Sequence, residues 1–249
     1  MSDPASKQSD YRAYEPQNQL QPIGKDIWIV DGPVLHWGYG GWKLPFPTRM
    51  TVIRLAGGEL WLHSPTKPDE ILLADIDALG PVTHLVSPNA IHHVSLDPWS
   101  KRYPNARVWA SPGVRKRSSV SFSDDLSDLP PPEWEDDIDQ RIARGSFAME
   151  EVVFFHKASK TLILADLIEN YEMDRLKGRF NRFLVRLAGV HKAKAPVDFR
   201  LSFLGGKHRF RPVVEWMLAC QPERIIIAHG KWIEKGGVAA LHRAFDWAL

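Results

Sequence analysis

Apolar and polar positions alternate along the first half of the chain in short runs that end at turn residues. DIWIVDG (26–32) places Ile27 and Ile29 two apart and stops at a glycine, which predicts a strand. MTVIRLAGGELWLHSP (50–65) holds two apolar runs around Ala-Gly-Gly, the pattern of a β-hairpin. The period then lengthens. In PDEILLADIDALG (68–80), Ile71, Leu72, Ile76 and Leu79 share one face, with Pro68 before them and Gly80 after, which predicts a helix. THLVSPN (83–89) and ARVWASPG (106–113) read as buried strands, with a short helix over DPWSKRYPN (97–105) between them.

The same style continues after a polar stretch. EEVVFFHKASKTLILADLIEN (150–170) predicts two strands around Lys-Ala-Ser-Lys. RPVVEWMLACQ (211–221) predicts a helix, ERIIIAHG (223–230) a strand and residues 236–249 a last helix. No internal repeat is present. Strands and helices alternating in both halves imply two packed sheets with helices outside, an α/β layered sandwich. Residues 1–21 are polar and predict a loosely ordered N-terminal arm ahead of a single domain over 22–249.

Composition narrows the class. With 249 residues, 44% apolar and 25% charged, the chain is neither disordered, collagen-like nor membrane-embedded. A formal charge of +2 provides no global basic field for nucleic acid. The single cysteine, Cys220, excludes an internal disulfide and a multi-cysteine zinc site, and points to a reducing compartment. The first 20 residues lack an apolar signal region, and no run reaches the roughly 20 apolar residues that span a bilayer. A cytoplasmic location follows as the expectation. Two charge runs modify this picture. Residues 124–139 carry eight acidic side chains around a triple proline and predict a loop, whereas 174–194 carry seven Lys/Arg against one Asp. In the second run Leu176, Phe180, Phe183, Leu184 and Leu187 recur at helical spacing. That helix either meets an anionic partner or membrane surface, or is solvated and faces the acidic run of the same molecule.

Candidate chemistry gathers at strand ends, where layered α/β folds build their sites. The strand at 83–87 runs into Asn89, His92 and His93, that at 161–165 into Asp166, and that at 224–228 into His229. Imidazoles and a carboxylate delivered by three strands suit a divalent metal. Taken singly, each has a structural alternative: a hydrogen-bonded histidine, or an Asp capping a turn. Near the same mouth lie His63, Glu169 and Asn170, with supporting or surface roles, and Asn89 as a turn cap. HWGYGGWKLPFPTR (36–49) reads as a loop long enough to cover a pocket, and His156 reads as structural.

RMTVIRLAGGELWLHSP (49–65), THLVSPNAIHH (83–93), TLILADL (161–167) and IIIAHG (225–230) together resemble the metallo-β-lactamase superfamily, in its DUF4336 branch. The resemblance spans about residues 22–249 and implies an αββα sandwich. The superfamily's H-x-H-x-D-H motif falls on Pro88-Asn89-Ala90-Ile91-His92-His93, and residues 144–149 contain no histidine. By this comparison the first metal site is lost, and His63 replaces the usual Asp of the early turn. The second site maps to His93, Asp166 and His229, with His92 in the aspartate's place. The resemblance therefore implies a mononuclear His92/His93/Asp166/His229 shell holding one zinc or iron ion, or none. The function it implies is metal-dependent hydrolysis with Asp166 as catalytic ligand, or metal or small-ligand binding without turnover. Nucleic-acid processing is disfavoured by the near-neutral charge.

Overall fold

Successive side chains of the inner strands, such as Leu60, Trp61 and Leu62, alternate between two apolar layers. The computed structural model describes residues 10–37 and 43–249. Its first half contains β1 (Gln21–Gly24), β2 (Ile27–Trp37), β3 (Leu44–Arg54), β4 (Leu60–His63), α1 (Glu70–Leu79), β5 (Val82–Ser87), α2 (Leu96–Arg102), β6 (Arg107–Ala110) and β7 (Asp124–Asp125). The second half adds β8 (Ile138–Ala143), β9 (Glu151–His156), β10 (Thr161–Ile163), α3 (Arg179–Ala188), α4 (Val197–Ser202), α5 (Lys207–Ala219), β11 (Arg224–Ile226) and α6 (Gly237–Phe245). Strands β1 to β7 form one sheet in chain order, and β11-β10-β9-β8 form the other. The first sheet is antiparallel as far as β4 and parallel from there to β7.

Period-two alternation explains the layers. Leu60 and Leu62 of β4 pack with Leu72 and Ile76 of α1 and Trp99 of α2, while Trp61 between them points to the facing sheet. There Trp61 meets Phe154 and Trp134 edge-on, at ring centroids 5.0 and 6.1 Å apart. On the other sheet Val153, Leu162 and Ile225 pack under α5 and α6, whereas Val152, Ile163 and Ile226 face inward. The result is helix, sheet, sheet, helix: the αββα sandwich expected from the sequence.

Three expectations need correction. The stretch 36–49 is mostly strand, since Trp37 pairs with Leu44 across a long β2–β3 hairpin; residues 38–42 lie outside the described part. Pro45 and Pro47 fit there because β4 pairs only with Thr51–Arg54, so their part of β3 is hydrogen-bonded on one side. The arm is not loose over residues 10–18. Tyr11 is fully buried edge-on against Tyr171 at 5.7 Å, Arg12 N–H donates to Arg175 O at 2.8 Å, and Asn18 N–H donates to Asp31 O at 2.8 Å. Polar composition hid those three anchoring contacts; residues 1–9 lie outside the described part. The helix expected within 174–194 is shorter, at Arg179–Ala188, and Phe180, Phe183 and Leu187 lie on its exposed side.

Candidate metal centre

The parallel strands β4 and β5 of one sheet, and β10 and β11 of the other, end at the same edge of the sandwich. Beyond β5 the chain turns at Asn89, whose Oδ1 accepts from Ile91 N–H at 3.0 Å and His92 N–H at 3.2 Å. This cap turns His92 inward. Beyond β10 comes Asp166, and beyond β11 comes His229, followed by Gly230 at φ +98°. A Cβ at residue 230 would lie 2.1 Å from Asn170 O, so a glycine is required just there.

The three side chains converge. His229 Nε2 lies 3.0 Å from Asp166 Oδ1, and His92 Nε2 lies 3.3 Å from the same carboxylate. One donor atom from each of the three falls within 4.8 Å of the others, and among the described residues they form the one such cluster. Each imidazole is held from behind. His229 Nδ1–H donates to Pro47 O at 2.8 Å, which leaves Nε2 toward the centre, and His92 Nδ1 meets Ser64 Oγ at 2.6 Å. Two imidazoles with their far nitrogens tied back and one carboxylate are a donor set that fits a zinc- or iron-type cation.

His93 is not part of this cluster. Next to His92 in a turn, it points elsewhere, and burial together with the Arg117 charge lowers its pKa. The set is therefore three donors and not four. His63 is buried and stacked on Trp61 at 5.7 Å; burial first, then the nearby His92, pull its pKa down to about 3. Asn170 is a loop clamp, accepting from Ala193 N–H at 3.2 Å and donating to Lys231 O at 2.8 Å. His156 is structural as expected, at 2.7 Å from Ser159 Oγ.

Sequence reasoning missed Glu151. It opens β9 at the same edge and is fully buried; its carboxylate accepts from Ala165 N–H at 2.8 Å and Asp166 N–H at 2.7 Å. Asn89 Nδ2 then donates to both carboxylates, at 2.8 Å to Asp166 and 3.1 Å to Glu151. The sequence offers only a glutamate pair, Glu150 and Glu151, leading into an apolar run; which of the two turns inward is set by packing. Burial and the Asp166 charge push Glu151 up to about 7. Burial opposes the Asp166 charge as well, yet the two histidines hold that carboxyl well below the usual range. His229 shows the complement: burial lowers its pKa, but the Asp166 hydrogen bond and charge outweigh it and raise it to about 9.

Above the cluster opens a cavity of about 510 Å³. Its walls are mainly apolar, from Leu35, Phe46, Ile91, Tyr171, Leu184, Val185 and Phe199, with His92, Asp166 and His229 also lining it. Glu169 lines the same space, and burial raises its carboxyl to about 8.

The sequence model of the family described as "Domain of unknown function (DUF4336)" matches residues 38–175, more than half of the chain. The chain belongs to DUF4336. No curated protein matches this DUF4336 chain in sequence. Its fold is that of metallo-β-lactamases. The DIM-1 metallo-β-lactamase superposes with a TM-score of 0.62 at 13% identity, covering 94% of this chain and 97% of that one. A metallo-β-lactamase from Pontibacter korlensis gives 0.59 at 12% identity, over 92% and 98% of the two chains. One from Erythrobacter litoralis, solved with β-mercaptoethanol in its active site, gives 0.62 at 13% identity, over 92% and 95%. At these identities the likeness is one of fold. No helix among the described residues of the DUF4336 chain is long and apolar enough to cross a membrane.

Proposed function

We propose that this protein is a mononuclear metal-dependent hydrolase acting on a small molecule with an apolar portion, in a reducing, cytoplasmic compartment. The observation that carries the reading is the His92/Asp166/His229 cluster at an apolar chamber large enough for a ligand. A divalent cation held by these three residues supplies Lewis acidity, which lowers the pKa of water. Asp166 brings the negative charge of the set and, through Asn89, is fixed against Glu151. Ser64 and Pro47 O hold the two imidazoles in orientation. Glu169 keeps its proton near neutrality and is the chamber group available to give one to a departing atom of a bound molecule. Leu184, Val185 and Phe199 exclude water around the apolar portion.

The test is metal analysis of protein purified without added metal, followed by a screen of ester, amide and phosphoester substrates with apolar groups. Stoichiometric zinc or iron with turnover abolished by chelation is expected, and turnover indifferent to chelation would refute the reading. A second reading, metal or small-ligand binding without turnover, is favoured by Pro88 and Ala90, which stand where the first site's histidines would fall and cannot ligate through their side chains. Under that reading metal binds and ligand affinity is measurable, while no substrate class turns over.

A further inference from the structure

The basic run is not used by the metal cluster, nor is it answered by the acidic run. Arg107 pairs with Asp124 and Glu133, Arg115 with Asp125, Arg141 with Asp139 and Arg144 with Asp128. Five of the eight acids in that stretch are thus paired with four arginines outside the basic segment. Residues 177–211 contain ten Lys/Arg and one acid, Asp198. Within that segment Arg209 and Arg211 pair with Glu150 and Glu215. Arg179, Arg182 and Arg186 of α3 have no carboxylate partner among the described residues; Arg182 donates instead to Leu176 O at 2.9 Å.

These arginines sit on a helix that exposes apolar side chains. Leu184, Val185 and Ala188 line the chamber, while Phe183 and Leu187, four apart, are 59% and 67% exposed. Helix α4 packs against α3 and adds Leu201 at 53% exposed, and the turn after it adds Leu204 at 69%. Phe147, 81% exposed, joins them, because its N–H donates to Ser202 O at 3.0 Å at the end of α4. An outward apolar face beside guanidinium groups that no described carboxylate answers is the arrangement of helices that lie in a membrane interface. We propose that this face, built by α3, α4 and the Phe147 loop, docks on a bilayer bearing anionic lipids. Headgroup phosphates answer the arginines, and the acyl boundary takes Phe183, Leu187, Leu201 and Leu204. A nucleic acid would satisfy only the arginines and leave those leucines in water. Since the inner side of α3 lines the chamber, docking sets the chamber wall against lipid. Docking of this face does not depend on turnover at the metal cluster.

Sedimentation of the full chain with vesicles tests it. Phosphatidylcholine vesicles containing phosphatidylglycerol should carry the protein down at low salt and release it at high salt, and pure phosphatidylcholine should retain little. The double variant R179Q/R186Q should partition about 25-fold more weakly, from roughly fivefold per cation at an anionic surface. F183S/L187S should lose vesicle binding while its melting curve stays that of the parent, because both side chains are exposed. Equal binding to neutral vesicles, absence of binding to anionic ones, or unchanged binding by both variants would overturn the proposal. So would a single-stranded oligonucleotide bound as well by F183S/L187S as by the parent, which would mark a nucleic-acid face.

Discussion

At Asp166 one carboxylate serves His92, His229 and Asn89, all within 3.3 Å. Its replacement separates a ligand from a turn residue. Asp166→Asn keeps the shape but removes the charge, and metal affinity should fall by at least the roughly 10- to 100-fold seen when supporting groups are lost. Asp166→Ala should bind no stoichiometric metal; elemental analysis of both variants is the check. Glu151 carries a different load. Glu151→Ala leaves Ala165 N–H and Asp166 N–H buried without an acceptor, at roughly 1–3 kcal/mol each. A loss of about 3 kcal/mol in urea unfolding is expected, less in Glu151→Gln, which keeps one acceptor oxygen. His84 sets a pH dependence. It accepts from Trp109 Nε1–H at 3.2 Å through Nδ1, and burial lowers its pKa from 6.5 to about 4. The unfolded chain takes up that proton first, so the stability His84 contributes is complete above pH 6.5 and is lost as pH falls toward about 4. His84→Gln should flatten that part of the stability profile.

Among the elements, α1 shows how local chemistry sets a boundary. Asp69 caps it by accepting from Leu72 N–H at 2.9 Å, and Asn18 Nδ2 donates to the same carboxylate at 2.8 Å. Asp69→Ala should cost about 1 kcal/mol by thermal melting, the usual cost of a lost cap. The β3–β4 hairpin and α1 were legible because period and punctuation agreed there. Helix α3 was legible only as a helix. Its apolar positions carry no label saying whether they face a core or an outer surface, and Val185 is its one buried side chain.

For the whole molecule, Arg49 ties the first sheet to the loop that presents His229. Its guanidinium pairs with Asp31 at 2.6 Å and donates to Ile227 O at 2.8 Å and Gly230 O at 2.7 Å, all in the interior. Arg49→Met should cost about 3–5 kcal/mol, because Asp31 is left as an uncompensated buried charge. Metal affinity should drop with it, since the carbonyls flanking His229 lose their anchor; melting with and without zinc reads both effects. Period-two alternation over β4, β5, β9 and β10, and helical period over α1, already determined the layers, because each residue's face depends only on its local backbone. Placing Asp166 and His229 at strand ends required no more than that. Choosing His92 over His93, recruiting Glu151 and Arg49, and leaving Phe183 and Leu187 in the open depended on tertiary packing. Neighbours in a turn point apart according to a cap such as Asn89, and distant residues meet only when two sheets close on each other.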